Sequence, residues 1–576
     1  MSLCFHIMSY RRRNFWSVIF LSFLCNFVSS QNFSWARAIG STSTEAANSC
    51  KVDLSGNVYI TGYFEGTIDF DPGVGSYTMS AMSANTDMFI LKLDAFGNFI
   101  WAKQIGGTGT DQGASLVLDA ASNIYLTGVF ENVVDFDPGP GVNNLSAIGL
   151  GDIFICKLDA NGNFGWVKTI GGTNGEGGYS IALDGANNIY TTGYFSSNFT
   201  DFDPGSGSYN LFPIGAVDVF ISKLDVNGNF VWAKQIGGSN VEVGYSIAVD
   251  NTGNSFTTGH FLSSVLDLDP GPGTFTLANN GLNDMFLVKL DASGNFSWAN
   301  TIGGTGDDRG YSVALDLSGN VYTTGYFSSI GVDFDPGIGT YTLSSLGGSM
   351  DAFISKQDGS GNFVWTQQMG GTGTDYGASI FVDGSGYVYT TGAFQNIADF
   401  DPGAGTYTLS SNGMRDIFIN ILDPSGTFYW VGQIGGTNDD VGSSILATPI
   451  GEVYTVGRFA SVNVDFDCGA GTYSLSSGGG DDIFVHKMTG APSEIKEIKS
   501  YRNYLVYPNP ASNVLFIANE DSQFQNSEIE ISDITGQVVL SSSYTDQIDV
   551  SSLSNGYYII RFSGKEKSYY SKFVKE

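Results

Sequence analysis

Pairs of aspartates two residues apart, followed in six of seven copies by Pro-Gly, recur along this chain. The motif DFDPG supplies Asp69 and Asp71, Asp135 and Asp137, Asp201 and Asp203, Asp333 and Asp335, and Asp399 and Asp401. DLDPG supplies Asp267 and Asp269, and DFDCG supplies Asp465 and Asp467. Each copy begins 66 residues after the one before it. Carboxylates at this spacing suit two kinds of chemistry. Clustered hard oxygens, completed by loop carbonyls, bind Ca²⁺ at the roughly 10⁻⁴–10⁻³ M affinities of extracellular modules. Alternatively, each aspartate accepts N–H groups of its own turn while Pro-Gly makes the bend and the intervening Phe enters the core. D-x-D-x-G lacks the third acid and the distal Glu of a full calcium loop. Sevenfold recurrence also fits upkeep of a repeated unit better than one special site. Turn capping is the primary reading, and Ca²⁺ is the ion expected if these loops hold one.

Other chemistry is sparse. Catalysis needs a unique constellation of groups in defined roles. Of three histidines, His6 lies near the N-terminus, and His260 and His486 occupy unrelated repeat positions. His260 stands where other copies of TTGYF carry Tyr, which reads as a packed substitution. No nucleophile elbow or histidine metal cluster occurs, and the GGTG segments lack the Lys and following helix of a phosphate loop. Paired carboxylates are the route to a carbohydrate-active hydrolase or lyase, but repetition singles out no pair. That alternative would be favoured by a cluster of non-repeated polar residues at the mouth of a central channel. Departures from the pattern at Asn143–Asn144, Phe212–Pro213 and Arg415 are candidates for ligand selectivity.

The elements that must carry these loops repeat with the same period. Trp35, Trp101, Trp166, Trp232, Trp298, Trp365 and Trp430 mark one strand type, and the DMFILKLD segment beginning at Asp87 and its six relatives mark another. In the unit spanning 308–371, DRGYSVALD and NVYTTGYF read as strands joined by a turn that Asp316 caps and Gly319 allows. DAFISKQD and NFVWTQQMGG follow as two further strands. Seven units of four short strands give a seven-bladed β-propeller over 31–490. The phase is offset: a Trp strand precedes the first unit, and the last unit ends at DDIFVHKMTG without one. FSWARAI is therefore expected to pair antiparallel with DIFVHKM around Phe484 and close the ring. In this topology the DFDPG loops and Glu45, Asp111, Glu176, Glu242, Asp308, Asp375 and Asp440 fall toward one face, giving an acidic binding surface of 21 carboxylates. The units resemble the bacterial β-propeller repeat family whose signature combines DFDPG, DAFI-KLD and GNF-WA. The resemblance implies the propeller fold and an exported location, and no particular activity.

The first 30 residues read as a signal peptide. Arg11–Arg13 precede the apolar WSVIFLSFLCNFV, and VSS places cleavage between Ser30 and Gln31. No other segment reaches transmembrane length. Cys50, Cys156 and Cys468, odd in number and unrelated in repeat position, read as free thiols. Residues 31–490 carry 46 acids and 14 bases, a balance that repels nucleic acid and anionic membranes. After a polar linker at 491–502, residues 503–576 closely resemble the C-terminal sorting domain of type IX secretion substrates, with Tyr507-Pro508-Asn509-Pro510, DITGQVV and LSNGYY. That resemblance implies a small immunoglobulin-like β-sandwich that engages the type IX machinery and delivers the chain to the cell surface or medium. The expectation is an all-β, non-enzymatic, monomeric binding protein for glycan, protein or matrix.

Overall fold

The computed structural model describes residues 31–492, 504–507, 509–519, 528–533, 538–543, 545–563 and 568–575. The signal-peptide reading and most of the linker lie outside them. Among the described residues every regular element is a strand, and no helix is long and apolar enough to cross a membrane.

From 32 to 489 the main strands form seven antiparallel four-stranded units. The first is Glu45–Val52, Val58–Phe64, Asp87–Leu93 and Phe99–Gly107, paired in that order. The fifth is Asp308–Leu315, Val321–Phe327, Asp351–Gln357 and Phe363–Gly371. The pattern that builds each unit is legible strand by strand. The second and third strands are apolar on both faces because each is sandwiched: Val58–Phe64 and Asp87–Leu93 are buried almost throughout. The fourth strand is less enclosed: in Phe99–Gly107, residues 99–104 are mostly half-buried, with Ile100 exposed.

The seventh unit takes Asp440–Ala447, Val453–Phe459 and Asp482–Thr489 from one end of the segment and Asn32–Ile39 from the other. Ala38 pairs with Phe484 and Ala36 with His486, in the antiparallel register expected from the phase of the repeats. Gln31 Nε2 adds a 3.1 Å hydrogen bond to the Gly490 carbonyl. The first strands of successive units lie side by side, and that of the seventh returns to that of the first. A serine in these strands links neighbours: Ser49 Oγ accepts from Leu116 N, Ser180 from Ile247 N, Ser312 from Ile380 N, and Ser444 from Cys50 N at 3.3 Å.

Inter-unit packing explains the GNF-WA signature. The turn glycine of one unit sits on the Trp of the unit before it, as Gly97 does on Trp35, Gly228 on Trp166 and Gly294 on Trp232. These glycines have φ of 74°, 77° and 76°, so both backbone conformation and close approach exclude a side chain. Trp35 Nε1 donates to Ala95 O at 3.1 Å, and Trp232 Nε1 to Ala292 O at 3.3 Å. The lysine of the KLD segment lies over an aromatic ring, as Lys92 does over Tyr59 at 4.6 Å and Lys289 over Phe256 at 4.9 Å.

The tail forms a three-stranded and a four-stranded sheet. They share one core that includes Val506, Leu515, Ile529, Ile531, Ile548, Ile560 and Phe573. Asn509 of the YPNP segment ties the entry to the last strand, accepting from Val574 N at 2.9 Å. Within LSNGYY, the Tyr558 hydroxyl donates to Ser554 O at 2.8 Å.

Candidate functional site

The repeated aspartates are occupied by their own loops. Asp69 Oδ1 accepts from Asp71 N at 3.1 Å and from Tyr77 N at 2.7 Å, and Asp71 Oδ1 accepts from Gly73 N at 2.8 Å. The same three bonds recur for Asp135 and Asp137, Asp201 and Asp203, and Asp267 and Asp269. They recur again for Asp333 and Asp335, Asp399 and Asp401, and Asp465 and Asp467. The residue between each pair is fully buried, with Phe70 packed 5.3 Å from Phe64 and 5.1 Å from Phe89. Among the described residues no three His, Cys, Asp or Glu side chains converge as metal ligands. The loops bring a cation no third carboxylate, and turn capping accounts for one oxygen of every aspartate.

The acidic face is smaller than the topology alone suggests. Glu45, Asp111, Glu176, Glu242, Asp308, Asp375 and Asp440 are buried. Each accepts from the inter-unit turn before it, and all but Glu45 also from the end of the second strand. Asp111 Oδ2 accepts from Gly107 N at 2.7 Å, and its Oδ1 from Glu131 N at 3.0 Å. The acids that open the third strands, Asp87, Asp152, Asp218, Asp284, Asp351, Asp416 and Asp482, are equally buried. Each lies next to the first-strand acid of the following unit. In the fifth and sixth units, Asp351 Oδ1 and Asp375 Oδ2 both lie 2.9 Å from the point where a Cβ on Gly370 would stand. Burial pushes Asp111, Glu45 and Asp351 up to about 7 and Asp152, Asp284, Asp375, Asp416 and Asp482 up to about 6, with like-charged neighbours adding to the rise in most of them. These carboxyls belong to the frame and are not displayed to ligands.

The repeat is broken elsewhere. In every unit the first strand carries a β-bulge just before its serine, between Gly178 and Ser180 for example. A bulge turns one side chain out of the regular alternation. The bulged residues are Asn48, Ala114, Tyr179, Tyr245, Tyr311, Ala378 and Ser443. Six of these seven positions line a cavity of about 560 Å³, to which six of the seven units contribute. One side is an aromatic arc. Tyr179 stacks on Tyr245 at 5.7 Å, Tyr245 meets Tyr311 edge-on at 5.2 Å, and Tyr311 meets Tyr376 at 6.2 Å. The other side is small and polar, with Asn48, Gln112 and Ala114.

Of the four arginines between 31 and 490, Arg415 lines this cavity, Arg309 reaches the Tyr245 hydroxyl at 3.4 Å, and Arg458 connects to Arg415 through Asp439. Arg309 binds Asp307 through Nε at 2.8 Å and Nη2 at 3.0 Å, and Asp307 also accepts from Tyr326 OH at 2.7 Å and Asn283 Nδ2 at 2.8 Å. Arg415 binds Asp439 through Nε at 2.6 Å and lies over the Tyr376 ring at 5.6 Å. Arg458 pairs with Asp481 and reaches Asp439 at 3.8 Å. Burial raises Asp307, but the Arg309, Tyr326 and Asn283 bonds outweigh it and hold this carboxyl below its ordinary range. His260 packs 5.4 Å from Tyr245, and burial followed by the Arg309 charge pushes it down to about 4, so it is neutral at physiological pH.

A non-repeated polar cluster of this kind is the arrangement that favours a hydrolase. A glycosidic hydrolase would also need a carboxyl placed as general acid; in this cluster Asp307, Asp439 and Asp481 are each engaged by an arginine. Of the departures singled out in the sequence, Arg415 belongs to this site. Asp135 Oδ1 accepts from Asn143 N within its own loop, and Phe212 is exposed and does not line the cavity. The tyrosines escaped notice because GGYSIAL, VGYSIAV and RGYSVAL read as ordinary strands. Their signal is a single column of the repeat, changing from Asn48 and Ala114 to three tyrosines and back to Ala378 and Ser443.

The β-propeller repeat model matches residues 100–129, 231–260 and 364–393, and the secretion system C-terminal sorting domain model matches 505–576. The chain carries β-propeller repeats and a type IX sorting domain. It is exported to the cell surface or the medium. WD repeat-containing protein L264 of Acanthamoeba polyphaga mimivirus is 26% identical over 510 residues, covering 75% of this chain and 36% of that protein. Regulatory protein FlaEY of Caulobacter vibrioides is 25% identical over 309 residues, covering 51% and 31%. The chain thus spans about a third of the length of the curated relatives it matches. The extracellular domain of the B. thetaiotaomicron one-component system BT4673 aligns over 92% of each chain at 9% identity with a TM-score of 0.15, a likeness that carries no argument.

Proposed function

We propose that this protein is a surface-delivered binding protein. Its body is a closed seven-bladed β-propeller, its tail is an immunoglobulin-like sandwich that engages the type IX machinery, and its ligand enters the cavity walled by the first strands. The observation that carries this reading is the aromatic arc of Tyr179, Tyr245 and Tyr311. This column carries tyrosine in three consecutive units where the others carry Asn, Ala or Ser, and a bulge turns it toward the cavity. Departure from symmetry on an otherwise symmetric frame is what a single ligand requires. The pairing of Asn32–Ile39 with Asp482–Thr489 and the return of the seventh first strand to the first support closure.

The reading is tested on the protein collected from the medium or the cell surface. A screen against glycans and surface proteins should yield a ligand whose binding Tyr245→Ala weakens while the melting temperature stays within about 2 °C of the parent. Binding that ignores Tyr179, Tyr245 and Tyr311 substitutions would move the site to the outer loops. Turnover of a saccharide during the screen would restore the hydrolase reading.

A further inference from the structure

Resting on that reading of the cavity, we propose that its occupant is a short, neutral oligosaccharide. The first argument is charge. Residues 31–490 carry a net charge of −32, so an anionic ligand meets repulsion at long range. At and beside the cavity the fixed charges cancel: Arg415, which lines it, pairs with Asp439, and behind the lining Arg309 pairs with Asp307 and Arg458 with Asp481. His260 is neutral at physiological pH. An anion would have to displace an aspartate from an arginine, and a cation would have to displace an arginine from an aspartate. A neutral molecule displaces neither.

The second argument is shape and polarity. Tyr179 is 39% exposed where it lines the cavity, held by stacking on Tyr245 and by Tyr194 tilted against it at 5.5 Å. Flat, electron-rich rings take the apolar C–H face of a pyranose. Across from them, Asn48 and Gln112 offer amide donors and acceptors. Only a ligand with an apolar face and a hydroxyl-bearing edge satisfies both walls. A wholly apolar ligand would strip water from the polar wall, where Asn48 Nδ2 donates to Gly113 O at 2.9 Å but its oxygen and the Gln112 amide face the cavity. The volume of about 560 Å³ sits within the roughly 300–1,000 Å³ range of small-ligand sites and admits more than one sugar ring.

The experiment uses the secreted protein and four probes: cellotetraose, xylotetraose and mannotetraose as neutral sugars, and tetragalacturonate as the acidic counterpart. Calorimetry should show binding of at least one neutral probe, unchanged within about twofold between low and high salt because no charge is screened. Tyr179→Ala should weaken it about tenfold, the worth of one aromatic contact, and Tyr179→Phe should restore it. Preference for tetragalacturonate, or binding to none of the four, overturns the neutral-saccharide assignment. If a peptide or protein from the wider screen is then lost with Tyr245→Ala, the cavity reading stands while this inference falls. If a neutral probe binds and Tyr179→Ala and Tyr245→Ala leave it unchanged, both fall.

Discussion

At the scale of single residues, the recurring aspartates show how an acidic motif becomes structural. Asp333 Oδ1 accepts from Asp335 N at 3.0 Å and from Tyr341 N at 2.8 Å. Asp333→Ala removes both caps, and at about 1 kcal/mol per hydrogen bond the loop should lose about 2 kcal/mol. Asp333→Asn keeps an acceptor and should lose less. The melting temperature of the parent should be the same in calcium and in chelator. A chelator-sensitive midpoint that Asp333→Ala abolishes would instead give these loops a resident Ca²⁺. Glycines of the third-to-fourth turn act by absence of a side chain. Gly228, at φ 77°, has Trp166 of the preceding unit 3.1 Å from where a Cβ would be. Gly228→Ala adds left-handed strain to a clash, and about 1–3 kcal/mol of destabilisation should follow. Denaturant midpoints measure both.

At the scale of elements, the seven units are equivalent in design and differ in connectivity. Asn32–Ile39 is far from its partner strand in sequence, yet loop-closure entropy grows only logarithmically with separation. Pairing also removes two sheet edges. Trp35, 7% exposed, sits at this strand pairing. It packs edge-on against Tyr454 of its own unit at 6.2 Å, donates to Ala95 of the first unit, and sits under Arg37 at 5.4 Å. Trp35→Ala should therefore destabilise by about 3–5 kcal/mol and raise dye binding by exposed apolar surface. A midpoint within about 0.5 kcal/mol of the parent, the ordinary range of surface substitutions, would assign Trp35 no part in closure.

At the scale of the whole molecule, the buried carboxyls make stability depend on pH. Glu45, Asp111, Asp152, Asp284, Asp351, Asp375, Asp416 and Asp482 hold protons up to about pH 6–7 in the folded chain, whereas the unfolded chain releases them near its ordinary values of 3.8–4.5. The folded state binds the extra protons, so this contribution is full below about pH 4 and is lost as pH rises through 6–7. The turn aspartates run the other way. Burial raises Asp94, Asp159 and Asp291, but the donors of their own turns outweigh it and bring them below 3.8. Their contribution is present above that pH and is lost in acid. The melting temperature should peak between about pH 4 and 6 and fall by several degrees by pH 8. A profile flat from pH 5 to 8 would mean that the buried pairs titrate normally.

Much of this protein is determined locally and is therefore legible in one dimension. Strand identity, turn position and unit count follow from short-range chemistry: alternation of apolar residues, Asp-capped turns with glycine at positive φ, and a Trp that returns at near-constant spacing. The phase offset even specifies which two distant strands must pair, because an unpaired strand and an incomplete sheet have complementary needs. The tail announces itself by motifs whose residues interact within the module. The tertiary structure alone decided which acids meet solvent. Asp87 and Asp111 are 24 residues apart and look as available as Asp69, but neighbouring units pack over them, and burial depends on contacts that no local pattern encodes. It also decided the site. Tyr179, Tyr245 and Tyr311 lie in separate units and become one surface only when first strands stand side by side and a bulge turns each ring inward. Arg415 and Asp439, or Arg458 and Asp481, are likewise charges scattered through the sequence until the fold makes them pairs.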